Sequence, residues 1–163
     1  MPEGIPGPEE LTSDEDVLRQ IVDPSTRIDS AIDVRHVEGT LFTQVDGKPV
    51  PQQAVWMRTH GALPDDPLIQ RAALAYLSDR TIQEVVLRAH GLSWTTPGLN
   101  VASLDHAMWW HRPARADEWL LYDMFSPNAI GGRGLRTSRI FTREGALAAS
   151  VAQAGMIRVP PPN

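Results

Sequence analysis

The spacing of apolar positions changes period along the chain, and each change predicts a different element. Residues 30–37 alternate apolar and polar with period two, and Ala54, Trp56 and Arg58 alternate with Val55 and Met57; both stretches are predicted strands. From Pro64 the spacing becomes helical, with Leu68, Ala72, Ala75 and Tyr76 recurring through Leu77. Asp65, Asp66 and Pro67 suit the start of this helix, because carboxylates favour the positive end of the helix dipole and proline has no N–H to leave unpaired. Ile82 to Leu87 is apolar enough to be helix or strand, and it ends at His90-Gly91. After Pro97-Gly98 the pattern is strand-like over 101–111, 118–126, 133–142 and 146–158, with breaks at Pro113, at Asn128 to Gly132 and at Glu144-Gly145. Short breaks make neighbouring strands antiparallel. Nearer the start, Thr12 and Glu15 have the spacing of a capping box, ahead of Val17, Leu18 and Ile21 on one face of a short helix.

These elements describe an α+β chain: one antiparallel sheet of about five or six strands wrapped around a central helix. Proline clusters at both ends mark residues 1–25 as linker-like and 160–163 as a tail, leaving 26–159 as the domain. A formal charge of −5 offers no basic face for nucleic acid. The absence of cysteine excludes a disulfide scaffold, a thiolate nucleophile and a zinc–thiolate centre. No apolar run is long enough to span a bilayer, and the first residues lack the basic and apolar regions of a signal peptide, so a soluble, cytoplasmic protein is expected.

Candidate chemistry is narrow. His106 and His111, an odd offset apart, point to opposite faces of a regular strand and do not share an ion unless a bulge intervenes; no metal site is expected. Gly131-Gly132-Arg133-Gly134 precedes a strand rather than a helix and matches no phosphate-binding fingerprint, so it reads as a hairpin loop, and no cofactor is expected. There is no Gly-x-Ser-x-Gly elbow, and in a regular strand Ser103 and Asp105 share one face while His106 takes the other, a poor geometry for a nucleophilic triad.

Five stretches, in order, carry a resemblance: Gly61-Ala-Leu-Pro-Asp-Asp-Pro67, Leu74-Ala-Tyr-Leu-Ser-Asp79, Ala102-Ser-Leu-Asp-His-Ala-Met-Trp-Trp-His-Arg-Pro113, Glu118-Trp-Leu-Leu-Tyr122 and Ala148-Ala-Ser-Val-Ala-Gln-Ala-Gly155. Together they resemble the C-terminal half of the acyl-CoA thioesterase II (TesB-type) family, over about Ile28 to Arg158, with residues 1–25 similar to the linker between the halves of that family. The resemblance implies a single hotdog domain, a sheet wrapped around a long helix, where family members have two. It also implies an acyl-CoA thioesterase that uses an aspartate, a hydroxyl and a glutamine, which fall on Asp79, Ser103 and Gln153. Two departures stand out. Gln153-Ala154-Gly155 replaces the frequent Gln-Glu-Gly, and serine replaces the commoner threonine, keeping the hydroxyl but losing the methyl that stiffens χ1.

The side chains make chemical sense for thioester hydrolysis, which needs an attacking water, a carboxylate to take its proton and polar groups to orient it. Whether Asp79 closes the predicted helix or caps a following one is open. Arg133, Arg136 and Arg139 are the densest positive stretch of an acidic chain and are expected to contact the phosphates of coenzyme A. Since the chain resembles only the second hotdog, it is expected to be either the C-terminal half of a longer thioesterase or a short chain that forms a homodimer or pairs with a first-hotdog chain, with Trp56, Trp109 and Trp110 near the seam, and to be weakly active or inactive alone. The alternative is a non-catalytic hotdog module that binds acyl groups or serves assembly.

Overall fold

The structure, a computed structural model, describes residues 1–28 and 30–159; the predicted tail at 160–163 lies outside the described residues. After one turn of 3-10 helix at Pro8–Glu10, the elements run α1 (Asp14–Ile21), β1 (Ile32–His36), β2 (Gln52–Thr59), α2 (Pro67–Arg80), α3 (Glu84–Ala89), β3 (Asn100–Ser103), β4 (Ala107–Trp110), β5 (Leu120–Ile130), β6 (Arg133–Thr142) and β7 (Leu147–Arg158). All strand pairs are antiparallel, in the order β1-β2-β5-β6-β7-β3, with β4 also on β7. Because β3 and β4 lie end to end along β7, the sheet has seven strands in six positions.

Helix α2 begins where the acidic residues and proline predict: Asp66 is the N-cap, its carboxylate accepting from Leu68 N at 2.8 Å, and Pro67 follows. It buries Gln70, Leu74, Leu77 and Ser78, one helical stripe, against the sheet. Leu74 and Leu77 meet Ile82, Val85 and Val86 from α3 and the segment before it, and inward residues of five strands, among them Val34, Val55, Tyr122, Ile140 and Val151. This sheet around a helix is the hotdog architecture the resemblance implies. The ambiguous 82–87 stretch is helical, its apolar side chains closing the end of the core rather than joining a ladder.

Strand β5 runs on through Asn128, which the sequence marks as a break. A register shift between Phe125 and Asn128 absorbs Pro127, which has no N–H to pair. The reversal falls instead on Gly131 and Gly132, with φ of 61° and 74°, the left-handed region that a tight hairpin turn requires at both central positions. Helix α1 also starts one residue later than the Thr12–Glu15 spacing predicts. Ser13 is its N-cap, accepting from Asp16 N at 3.2 Å, while Glu15 pairs with Arg19 and His60.

The N-terminal segment lies across the outer face of the sheet. Ile5 and Leu11 pack on a second apolar cluster that includes Trp56, Trp119 and Phe141, the Trp56 indole donates to Pro6 O at 2.9 Å, and Arg35 donates to Pro8 O at 2.8 Å. Helix α1 is tied down by a buried ion triad. His36 Nδ1 lies 2.7 Å from Asp14, and its Nε2 lies 2.7 Å from Glu84 on α3. Burial alone would lower the His36 pKa; the Glu84 and Asp14 carboxylates together overcome this and raise it to about 10. Burial raises the pKa of Asp14, whereas Glu84, despite burial, is held below its usual range by His36 and by donors from Trp94 and Gln53.

Candidate active site

Asp79 sits in the last turn of α2, which settles the helix end it meets. Ser103 is the last residue of β3, and Gln153 is an inward-facing, fully buried residue of β7. What joins them is a bulge. Ser103 pairs with Gly155 and Ala107 with Ala152, so Leu104, Asp105 and His106 stand opposite only Gln153 and Ala154. The bulge is pinned by Leu104 N donating to Ala154 O at 3.0 Å and by Ala154 N donating to the Asp105 carboxylate at 2.7 Å.

That extra residue overturns the strand parity expected from sequence. His106 swings to the side of Ser103, and Asp105 is spent on a backbone N–H. The Ser103 hydroxyl donates to Asp79 Oδ1 at 3.3 Å, and the Gln153 amide donates to the same oxygen. Gln153 Nε2 lies 3.0 Å from His106 Nδ1, while His106 Nε2 lies 2.8 Å from Ser78 Oγ. Since the Ser78 proton is given to the Ala75 carbonyl at 2.8 Å, the network assigns the imidazole proton to Nε2 and leaves Nδ1 as acceptor for Gln153. The Gln153 amide is thereby clamped from both sides. Its Oε1 is buried and has no partner among the described residues, so it is an acceptor in search of a donor.

The three residues named from the resemblance thus come together from three elements in a recess also lined by Ala75, Tyr76 and Leu104. The Asp79 side chain is 53% exposed, so a ligand or water reaches its carboxylate from solvent. Sequence reasoning missed Ser78, Gln83 and His106. The Asp105-His106 pair was a visible signal, but regular-strand parity sent His106 to the wrong face. Gln83, just ahead of α3, donates to Ser103 Oγ at 3.0 Å.

The three candidate phosphate-binding arginines are not brought together. An offset of three along β6 puts Arg136 on the inner face, fully buried, and Arg133 and Arg139 on exposed positions. Arg139 pairs with Asp123 and stacks on Phe141, with its guanidinium carbon 5.6 Å from the ring centre. Arg133 is exposed beside the β5–β6 turn and makes no ion pair among the described residues. Trp109 and Trp110 are exposed on β4, 54% and 37%, whereas Trp56 is covered by the N-terminal segment and lies away from that edge. His106 and His111 do not converge either, since His111 Nε2 sits 3.0 Å from Ser150 Oγ. No group of three metal-ligating side chains occurs among the described residues, nor any helix long and apolar enough to cross a membrane.

A family model described as Acyl-CoA thioesterase matches residues 25–156. The chain is 40% identical over 114 residues to Acyl-CoA thioesterase 2 of Haemophilus influenzae, an alignment covering 69% of the chain and 40% of that protein. To human Acyl-coenzyme A thioesterase 8 it is 34% identical over 171 residues, covering 96% of the chain and 53% of the relative. The crystal structure of acyl-CoA thioesterase II TesB2 from Mycobacterium marinum matches with a TM-score of 0.75 at 42% identity, over 98% of this chain and 56% of that one. The chain spans about half the length of the relatives it matches.

Proposed function

Because the chain belongs to the acyl-CoA thioesterase family, we propose that it hydrolyses fatty acyl-CoA to a fatty acid and coenzyme A, with Asp79, Ser103 and Gln153 as its catalytic residues. The observation that carries this reading is the convergence of a hydroxyl and an amide, from β3 and β7, on one carboxylate oxygen at the end of α2. Asp79 Oδ1 holds both donors, which leaves Oδ2 to receive a proton. A water reaching Oδ2 from solvent gives it one hydrogen, while the Ser103 and Gln153 donors hold the carboxylate in place.

Attack of that water on the thioester carbonyl forms the new C–O bond as its proton passes to Asp79. Collapse of the tetrahedral intermediate breaks the C–S bond, and the proton moves from Asp79 to the departing thiolate. Atoms and charge balance without a covalent enzyme intermediate, as befits a chain with no cysteine.

A single hotdog leaves the recess open on one side. Tyr76 and Leu104 line it with exposed apolar surface, and Leu68 and Ile69 on α2 with Trp109 and Trp110 on β4 are further exposed apolar residues of the same two elements. An uncovered strand edge next to such a strip favours a partner, and an isologous dimer satisfies both copies at once. We assign that edge to a second hotdog, supplied by another copy or by a first-hotdog chain. Arg133, exposed and without an ion pair among the described residues, is the arginine we retain as the contact for a coenzyme A phosphate.

Thiol release from acyl-CoAs of graded length, measured across a concentration series with light scattering, tests the reading. Turnover should follow the assembled fraction, and Trp109→Lys should dissociate the assembly and abolish turnover. An assembled protein that binds acyl-CoA and releases no thiol above background would be a binding module instead.

A further inference from the structure

We propose that Arg136 and Gln83 are positioning residues that fix the direction of the hydrogen bonds reaching Asp79, in the order Arg136 to Gln83 to Ser103 to Asp79. The inference rests on the hydrolase reading and adds two residues to it. Arg136 lies opposite Gln153 in the β6–β7 ladder and is fully buried. Its guanidinium occupies the space over Gly155, where a Cβ would fall 1.7 Å from Nη1, so glycine there is what admits it. Nη2 donates to Gln83 Oε1 at 3.3 Å, while Nε and Nη1 have no partner among the described residues. Burial pulls its pKa down and the carboxylates of Asp105 and Asp79 oppose that pull. A buried cation so thinly paired is a poor device for stability, since an apolar side chain would pack there at lower cost.

Its value lies in polarity. A guanidinium only donates, so the Gln83 amide must turn its oxygen to Arg136 and its nitrogen to Ser103, at 3.0 Å. A serine oxygen that accepts from an amide sends its own proton elsewhere, and the acceptor in reach is Asp79 Oδ1 at 3.3 Å. Were Gln83 free to flip, its carbonyl would take the Ser103 proton and Asp79 would lose one of the two donors that occupy Oδ1. The chain thus keeps Oδ2, and only Oδ2, for water.

Gln83→Glu separates this role from a packing role. At neutral pH the new carboxylate accepts from Arg136, as the amide oxygen does, but has no proton to give Ser103. The full assembled chain should keep or raise its Tm, because the buried guanidinium gains an ion pair, while kcat falls about tenfold or more with KM unchanged. The ratio of variant to wild-type kcat should climb as pH falls and the introduced carboxyl regains a proton to donate. Wild-type kcat for the variant at pH 8, or a kcat loss matched by a fall in Tm, overturns the proposal. A wild-type chain that releases no thiol in any assembly defeats the hydrolase reading instead. In that case the thermal measurement still decides the contact, and a lowered Tm for Gln83→Glu overturns it.

Discussion

Asp79→Asn is the sharpest single test of the site, because the geometry lets chemistry and stability be separated. Asparagine keeps the shape, and its amide oxygen can accept from Ser103 and Gln153 as Oδ1 does now. What disappears is the proton acceptor at Oδ2. The folded state loses the charge on two hydrogen bonds at a side chain 53% exposed to water, and with it one of the two carboxylates that support the buried Arg136. That is worth about 1 kcal/mol, or a Tm change of roughly 2–4 °C for a chain of this size. Loss of a general base costs about a hundredfold to ten-thousandfold in kcat, equivalent to roughly 3–5 kcal/mol of transition-state stabilisation. The predicted rate loss therefore exceeds the stability loss severalfold. The assay is initial-rate thiol release from a long-chain acyl-CoA at saturating substrate, with thermal unfolding and light scattering on the same preparation. A variant with wild-type kcat would refute the assignment of Asp79 as base. The next carboxylate, Asp105, is a weak substitute, since it already accepts from Ala154 N at 2.7 Å.

Two further outcomes are expected. The folded pKa of His36, about 10, lies above its ordinary 6.5, so the ion triad contributes fully to stability below about pH 6.5 and loses that contribution as pH rises toward 10. Thermal unfolding followed from pH 6 to 10.5 should fall more steeply for the wild type than for His36→Leu, and parallel curves would sink the assignment. Arg133→Glu should raise KM for acyl-CoA severalfold at low salt with kcat unchanged. Arg139→Glu, which breaks the pair with Asp123 and the contact with Phe141, should leave KM alone.

Much of this protein was legible in its sequence because the signals are local. Period-two runs marked β1 and β2, apolar stretches bounded by turn residues marked β5, β6 and β7, and the Asp65-Asp66-Pro67 start with its apolar stripe marked α2, since each depends only on residues close in the chain. Asp79, Ser103 and Gln153 were named from motifs, and the structure brings all three to one oxygen. Their mutual geometry was not legible. Parity along a strand assumes one residue opposite one residue, and the bulge at Leu104 to His106 breaks that count through its pairing with β7, nearly fifty residues away. The same holds for 82–87, whose apolar run satisfies helix or strand equally until the end of the core needs filling, and for the N-terminal segment, whose prolines read as linker while Ile5 and Leu11 cover the outer sheet face. Arg136 shows the limit most plainly. Its charge reads as surface, but its register opposite Gln153, and a glycine at 155 two residues further on, turn it inward to Gln83. Periodicity determines which residues face together within one element, whereas long-range pairing decides what those faces meet, and in this protein the wiring of the site belongs to the second.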